Sequence, residues 1–195
     1  MTTDTHLNID YFEKYAVGDT FVETGTYMGD TVRLAKQFGF KKIHSIEINE
    51  ALYMKNKKDF ENDESIKIWF GDSIDIIPEI MKEIESQATF WLDAHASGPL
   101  GGGRFGPCPL ELELKSILGT EMIKFKDGQL GKSFLKRPVN THTLFLDDKR
   151  LMGTQEWGNI DENRVMNLIK LINKDYKIIY LDGHVPNDII CASVR

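Results

Sequence analysis

Apolar positions along this chain fall into two rhythms. Short continuous runs recur around Phe21-Val22, over Lys42 to Glu47, Ile66 to Phe70, Ala88 to Leu92, Thr143 to Leu146, Lys177 to Leu181 and Asp188 to Val194. Runs of that length, rich in β-branched and aromatic residues, predict strands, and Ala88 to Leu92 is apolar enough to be buried on both faces. Between them the apolar residues take helical spacing: Leu7 to Tyr15, then Val32, Leu34, Ala35 and Phe38, then residues 50–60, 74–84 and 161–173. Gly39 is placed to end one of these helices, Asp72 and Ser73 to cap another, and Pro109 to open the run Leu110, Leu112, Leu114, Ile117 and Leu118. Asp182-Gly183-His184-Val185-Pro186-Asn187 reads as the turn of a terminal antiparallel hairpin. Five strand-and-helix units followed by a hairpin predict an α/β fold: a seven-stranded, mostly parallel sheet with helices on both faces. Residues 119–141 have no clear period and read as an insertion before the fifth strand.

Composition narrows the picture only a little. A chain of 195 residues suits a single domain, 1–195, and 41% hydrophobic with 28% charged residues is ordinary globular usage. The net charge of −6 gives no electrostatic reason to expect nucleic acid as a partner. Met1 to His6 lacks a basic start and an apolar run, and no later segment approaches a membrane-spanning length, so an intracellular, cytoplasmic location is expected. Cys108 and Cys191 are far apart without a C-x-x-C spacing, which argues against a disulfide framework or a zinc site.

The chemistry concentrates at strand ends. Phe21 to Gly29 reads as strand, glycine turn and helix start, with Gly25 turning the backbone and Gly29 allowing close approach to a ligand. Dinucleotide folds carry G-x-G-x-x-G at this corner, but here Thr26 and Tyr27 follow Gly25 and the middle glycine is missing. That favours a nucleotide-like cofactor without a pyrophosphate. The pattern acidic-x-Gly-x-x-x-Gly, from Glu23 through Gly25 and Thr26 to Gly29, resembles the first motif of class I S-adenosylmethionine (SAM)-dependent methyltransferases, whose sheet has the Rossmann-like layout predicted above. Glu47 closes the next strand about twenty residues on, where nucleotide folds place an acid for ribose hydroxyls. By the same resemblance Asp72 and Ser73, after the third strand, are candidates for contact with adenine; both are also good helix caps.

Asp93 ends the fourth strand and Asp147-Asp148 the fifth. Adjacent strands would bring these carboxylates together, and crowded acids repel unless a cation is present. Oxygen-only ligands favour a hard ion, Mg²⁺ first, with Mn²⁺ or Ca²⁺ as alternatives. The Asp93, Asp147, Asp148 set resembles the metal triad of divalent-metal-dependent O-methyltransferases, above all the macrocin-type enzymes that act on sugar hydroxyls. In that family an acid two residues after the first metal aspartate commonly serves as general base; this chain has His95 there, and Ala96 where catechol-type relatives use lysine. Histidine suits the role, since its ordinary pKa of about 6.5 lies near neutral pH. The resemblance implies methyl transfer to a sugar or glycan acceptor, a nucleotide sugar included, with Asp93 and His95 as the catalytic pair. A homodimer is compatible with it. Residues 98–107, glycine-rich with Arg104 and Phe105, and the 119–141 insertion would lie near the acceptor, and Lys149 and Arg150 could meet a phosphate. A nicotinamide-dependent oxidoreductase and a non-catalytic nucleotide-binding module on the same fold are the competing readings.

Overall fold

The computed structural model describes residues 6–95, 106–124, 130–134 and 139–195. In chain order the elements are α1 (Ile9–Tyr15), β1 (Thr20–Thr24), α2 (Asp30–Phe38), β2 (Lys42–Glu47), α3 (Glu50–Asp59), β3 (Ile66–Phe70), α4 (Ser73–Glu83), β4 (Ala88–Leu92), α5 (Leu110–Leu118), β5 (Thr120–Lys124), β6 (Leu130–Phe134), β7 (Thr143–Leu146), α6 (Glu162–Ile172), β8 (Lys177–Leu181) and β9 (Ile189–Ser193). Seven strands form one sheet in the order β3-β2-β1-β4-β7-β9-β8. The first five are parallel, whereas β9 runs antiparallel to both β7 and β8. This is the predicted mostly parallel sheet with its terminal hairpin.

Strand pleating explains why the apolar runs are continuous rather than alternating. Successive side chains point to opposite faces, so a strand covered on both sides needs apolar residues at odd and even positions alike. Phe21, Ile43, Trp91, Phe145 and Cys191 join Phe12 of α1 and Val32 and Ala35 of α2 in one core. Val22, Ile46, Phe90, Leu92, Leu144, Leu146 and Ile190 face α4, α5 and α6 in the other, through Ile77, Ile80, Leu110, Leu114, Val165 and Ile169. Helices therefore cover both faces.

Capping decides the helix ends. Asn8, Asn49, Asp72 and Asp161 each accept a backbone N–H of the first turn. Gly39 and Gly119 close α2 and α5 in left-handed conformation. Pro109 sits one residue earlier than predicted, at the N-cap of α5 rather than inside it. Within the aperiodic 119–141 stretch, among the described residues, β5 and β6 pair with each other, antiparallel, as a two-stranded sheet. Thr120–Lys124 and Leu130–Phe134 mix polar, charged and glycine positions with the apolar ones, so neither gives the continuous apolar run that marks the other strands. The predicted contacts of Arg104 and Phe105, and most of the glycine-rich 98–107 segment, lie outside the described residues. Among those described, no helix is long and apolar enough to cross a membrane.

Candidate active site at the carboxyl edge of the sheet

The order in which strands are added reverses between β1 and β4, which run parallel: β2 and β3 lie to one side of β1, and β4 and β7 to the other. In open α/β sheets such a switch point leaves a crevice at the carboxyl ends of the strands, where ligands bind. Register puts Thr24 abreast of Ile46 and Leu92, and Leu92 abreast of Leu146. The next residues, Gly25, Glu47, Asp93 and Asp147, therefore emerge in one row. Backbone bonds pin the row: Gly25 donates to Ile46, Asp93 to Thr24 and Asp147 to Leu92.

Three left-handed residues shape the glycine turn: Gly25 (φ 84°), Tyr27 (φ 45°) and Gly29 (φ 81°). A Cβ on Gly25 would stand 2.7 Å from the Asp93 carbonyl oxygen, and one on Gly29 2.6 Å from Asn56 Oδ1. Tyr27 occupies the place of the absent middle glycine. Its strained backbone is held from both sides, its N–H donating to Glu47 Oε2 (2.9 Å) and its carbonyl accepting from Asn56 Nδ2 (2.7 Å). Glu47 also accepts the Asn49 N–H through Oε1 (2.8 Å) and is buried. A carboxylate has about four lone-pair directions, so two remain for a ligand. Asp72 caps α4 by accepting the Ile74 N–H, with Ser73 buried beside it.

Glu23 and Thr26 point inward. Thr26 Oγ1 lies 2.6 Å from Ser45 Oγ, and Ser45 in turn donates to Glu23 Oε2. Burial pushes the Glu23 carboxyl up to about 8, against the hydrogen bonds from Ser45 and Thr31 that favour its charged form. In this arrangement the two residues brace the turn from below rather than face a ligand.

The three aspartates predicted to converge do so only in part. Asp93 and Asp148 both face His95 Nε2, Asp93 Oδ1 at 3.2 Å and Asp148 Oδ2 in direct contact. Asp147 turns the other way: Oδ1 accepts the Asp148 N–H (2.8 Å) and Oδ2 lies 3.4 Å from His6 Nδ1. The reason is backbone geometry. Asp148 adopts φ 56°, so two consecutive acids at the end of β7 diverge. Two groups result, Asp93-His95-Asp148 and His6-Asp147-Asp148, in each of which one ligand atom per residue lies within 4.8 Å of the others. The groups that meet are therefore two carboxylates and an imidazole, not the three carboxylates expected.

Charge explains the arrangement. Burial raises the Asp93 carboxyl, and burial with the negative charges of Asp93 and Asp148 raises that of Asp147 to about 7. Burial acts the same way on Asp148, but His95 and Arg150 outweigh it and hold the carboxyl below its ordinary value. Burial disfavours a charged His95, yet its contacts with Asp148 and Asp93 lift the imidazole to about 10. A cation thus sits between the two aspartates, supplied here by the imidazolium. That two carboxylates aim at one positive point is the feature that fits a divalent ion. Arg150, read from sequence as a phosphate contact, is instead engaged by Asp148 and Asp188.

Several residues of the site were not picked out in sequence. Ile48 and Phe70 follow and close β2 and β3 and are 41% and 50% exposed, an apolar surface open at the same edge. Their position next to Glu47 and before Asp72 was a usable signal. Glu113 of α5 had none, since it reads as one more polar position of a helix. It is 1% exposed and, with Leu92, Asp93, Ala94, His95, Cys108, Leu110 and Trp157, lines a narrow recess that is partly open to solvent. The Trp157 ring lies 5.3 Å from that of His95.

No protein-family profile and no curated protein matches the chain. Solved structures do. A protein of Clostridium thermocellum assigned as an rRNA methylase aligns at TM-score 0.58 and 12% identity, covering 95% of this chain and 94% of its own. One of Streptococcus mutans assigned as a methyltransferase, in complex with SAH, gives 0.56 and 13% over 95% and 94%. Spermidine synthase from Thermotoga maritima gives 0.55 and 10%, over 96% of this chain and 60% of its own. Identities this low speak to fold alone. In strand order, strand direction and structural neighbours, the chain has the Rossmann-like fold of class I methyltransferases.

Proposed function

We propose that this chain transfers a methyl group from SAM to a hydroxyl of a sugar or glycan acceptor, with the help of a divalent cation. The reading rests chiefly on the meeting of Asp93, His95 and Asp148 beside the Gly25 turn, at the switch point of the sheet. When bound, the donor supplies an electrophilic methyl carbon, and a divalent ion, Mg²⁺ before Mn²⁺ or Ca²⁺, makes a hydroxyl easier to deprotonate.

The chain's own residues do the rest. Gly25 and Gly29 leave no room for a side chain against Asp93 and Asn56, which keeps the turn that would receive the donor tight against β4 and α3. Glu47 keeps lone pairs for ribose hydroxyls, Ile48 and Phe70 offer apolar surface to a base, and Asp72 and Ser73 flank it. Asp93 and Asp148 would hold the cation. His95 receives the hydroxyl proton at Nε2. Facing two bare carboxylates, that nitrogen keeps its proton tightly; once their charge is neutralised its affinity falls toward the ordinary histidine range, where it works as a base near neutral pH.

Tyr27 weighs against a nicotinamide-dependent oxidoreductase, because its Cβ stands where a pyrophosphate needs bare backbone. The gathering of Asp93, His95 and Asp148 at the switch-point crevice weighs against a non-catalytic module, since ligands bind at that edge of an open sheet. Two measurements test the proposal. Isothermal titration is expected to show binding of SAM and none of NAD. Methyl rhamnoside and other methyl glycosides, incubated with radiolabelled SAM and Mg²⁺, are expected to take up label, with a loss of about a hundredfold in chelator or in Asp93→Asn. His95→Ala should keep SAM binding while losing transfer. Binding of NAD in place of SAM would sink the donor assignment, and undiminished labelling in chelator would sink the cation.

A further inference from the structure

Glu113 is a carboxyl that neither the glycine turn nor the Asp93-His95-Asp148 group uses. From α5 it reaches the carboxyl edge of the sheet: Thr24, which precedes Gly25, and Ser73, which opens α4, both hydrogen-bond it. Only one oxygen is engaged. Oε1 is fully buried and has no hydrogen-bond partner. Among the described residues, the charged groups that bear on Glu113, Asp72 and Asp93, are themselves acids. His95, across the same recess, is already engaged by Asp93 and Asp148. Among the described residues Glu113 is thus a buried acid with no cation of its own, beside the turn that would carry a positively charged donor.

We infer that Glu113 is the counter-charge for the sulfonium of SAM, so that the donor is held more tightly than the neutral thioether left after transfer. A sulfonium has no N–H or O–H to donate, so what holds it is nearby negative charge, and no donor among the described residues ties up the charge at Oε1. Charge attraction in a water-poor site is stronger than in solvent, and it vanishes when the methyl group leaves. The inference rests on the donor assignment above and extends it: the same residue favours substrate entry and product exit.

Titration calorimetry on the full chain with SAM, S-adenosylhomocysteine (SAH) and sinefungin, whose amine places a positive charge at the sulfonium position, tests it. Glu113→Gln keeps shape and hydrogen bonding but not charge. It is expected to weaken SAM and sinefungin by about tenfold while changing SAH by less than about twofold. Equal weakening of all three ligands, or no change, would overturn the inference and leave Glu113 as a packing residue. Should the variant fail to fold, the wild type still decides: SAH binding more tightly than both charged ligands overturns the inference, and tighter SAM and sinefungin support it. If the wild type binds none of the three, the donor assignment itself falls and takes this inference with it.

Discussion

At the scale of single residues, the site is built from groups held in unfavourable states by their neighbours. Tyr27 keeps a left-handed backbone because Glu47 and Asn56 grip both its polar groups. Glu23 remains a buried acid because it stays protonated: burial raises its pKa from the ordinary 4.5 to about 8. A raised folded-state pKa means the stabilisation is complete below the unfolded value and is lost as pH rises through the folded one. Glu23→Gln, permanently neutral, escapes that loss. Urea denaturation of the ligand-free protein at about pH 6 and about pH 9 should therefore show the variant gaining on the wild type as pH rises. Parallel behaviour at the two pH values would mean that Glu23 is charged and compensated in some other way.

At the scale of elements, α3 has a job its sequence conceals. Read alone, it is a polar helix with a run of lysines. Its one fully buried side chain, Asn56, donates from Nδ2 to the Tyr27 carbonyl (2.7 Å) and to Leu52 (3.0 Å), and its Oδ1 rests against Gly29. The helix thus braces the glycine turn from the far side. Asn56→Ala leaves the Tyr27 carbonyl without this partner. It should cost about 1–3 kcal/mol in urea denaturation and weaken SAM in titration calorimetry, the second effect being absent if the turn holds its shape unaided. The β5–β6 hairpin makes the opposite point. Nothing in its short segments distinguishes strand from loop until the two pair.

At the scale of the whole molecule, the sheet divides two cores, and its switch point brings the ends of β1, β2, β4 and β7 into one row. A ligand spanning that row touches segments from most of the chain, so its binding should be felt as global stability. SAM at about a hundred times its Kd is expected to add about 2.7 kcal/mol, which for a chain of this size raises Tm by roughly 5–10 °C. Thermal melts with SAM and Mg²⁺, with SAM and chelator, and with NAD would read this directly. No rise with SAM would contradict binding at the row.

Much was already decided by the linear order of residues. Continuous apolar runs set the parallel strands because both faces of such a sheet are covered, and the glycines, caps and strand-end acids marked where its carboxyl edge would lie. All of that is local: period, turn chemistry and spacing act between near neighbours in the chain. What folding alone decided is which of those groups meet. A left-handed residue at Asp148 separated it from Asp147 and set it against His95, α5 carried Glu113 beside a turn nearly ninety residues away in sequence, and α3 delivered Asn56 to Tyr27. Such meetings depend on backbone direction and on the packing of distant elements, and neither is written in the order of residues at any one place.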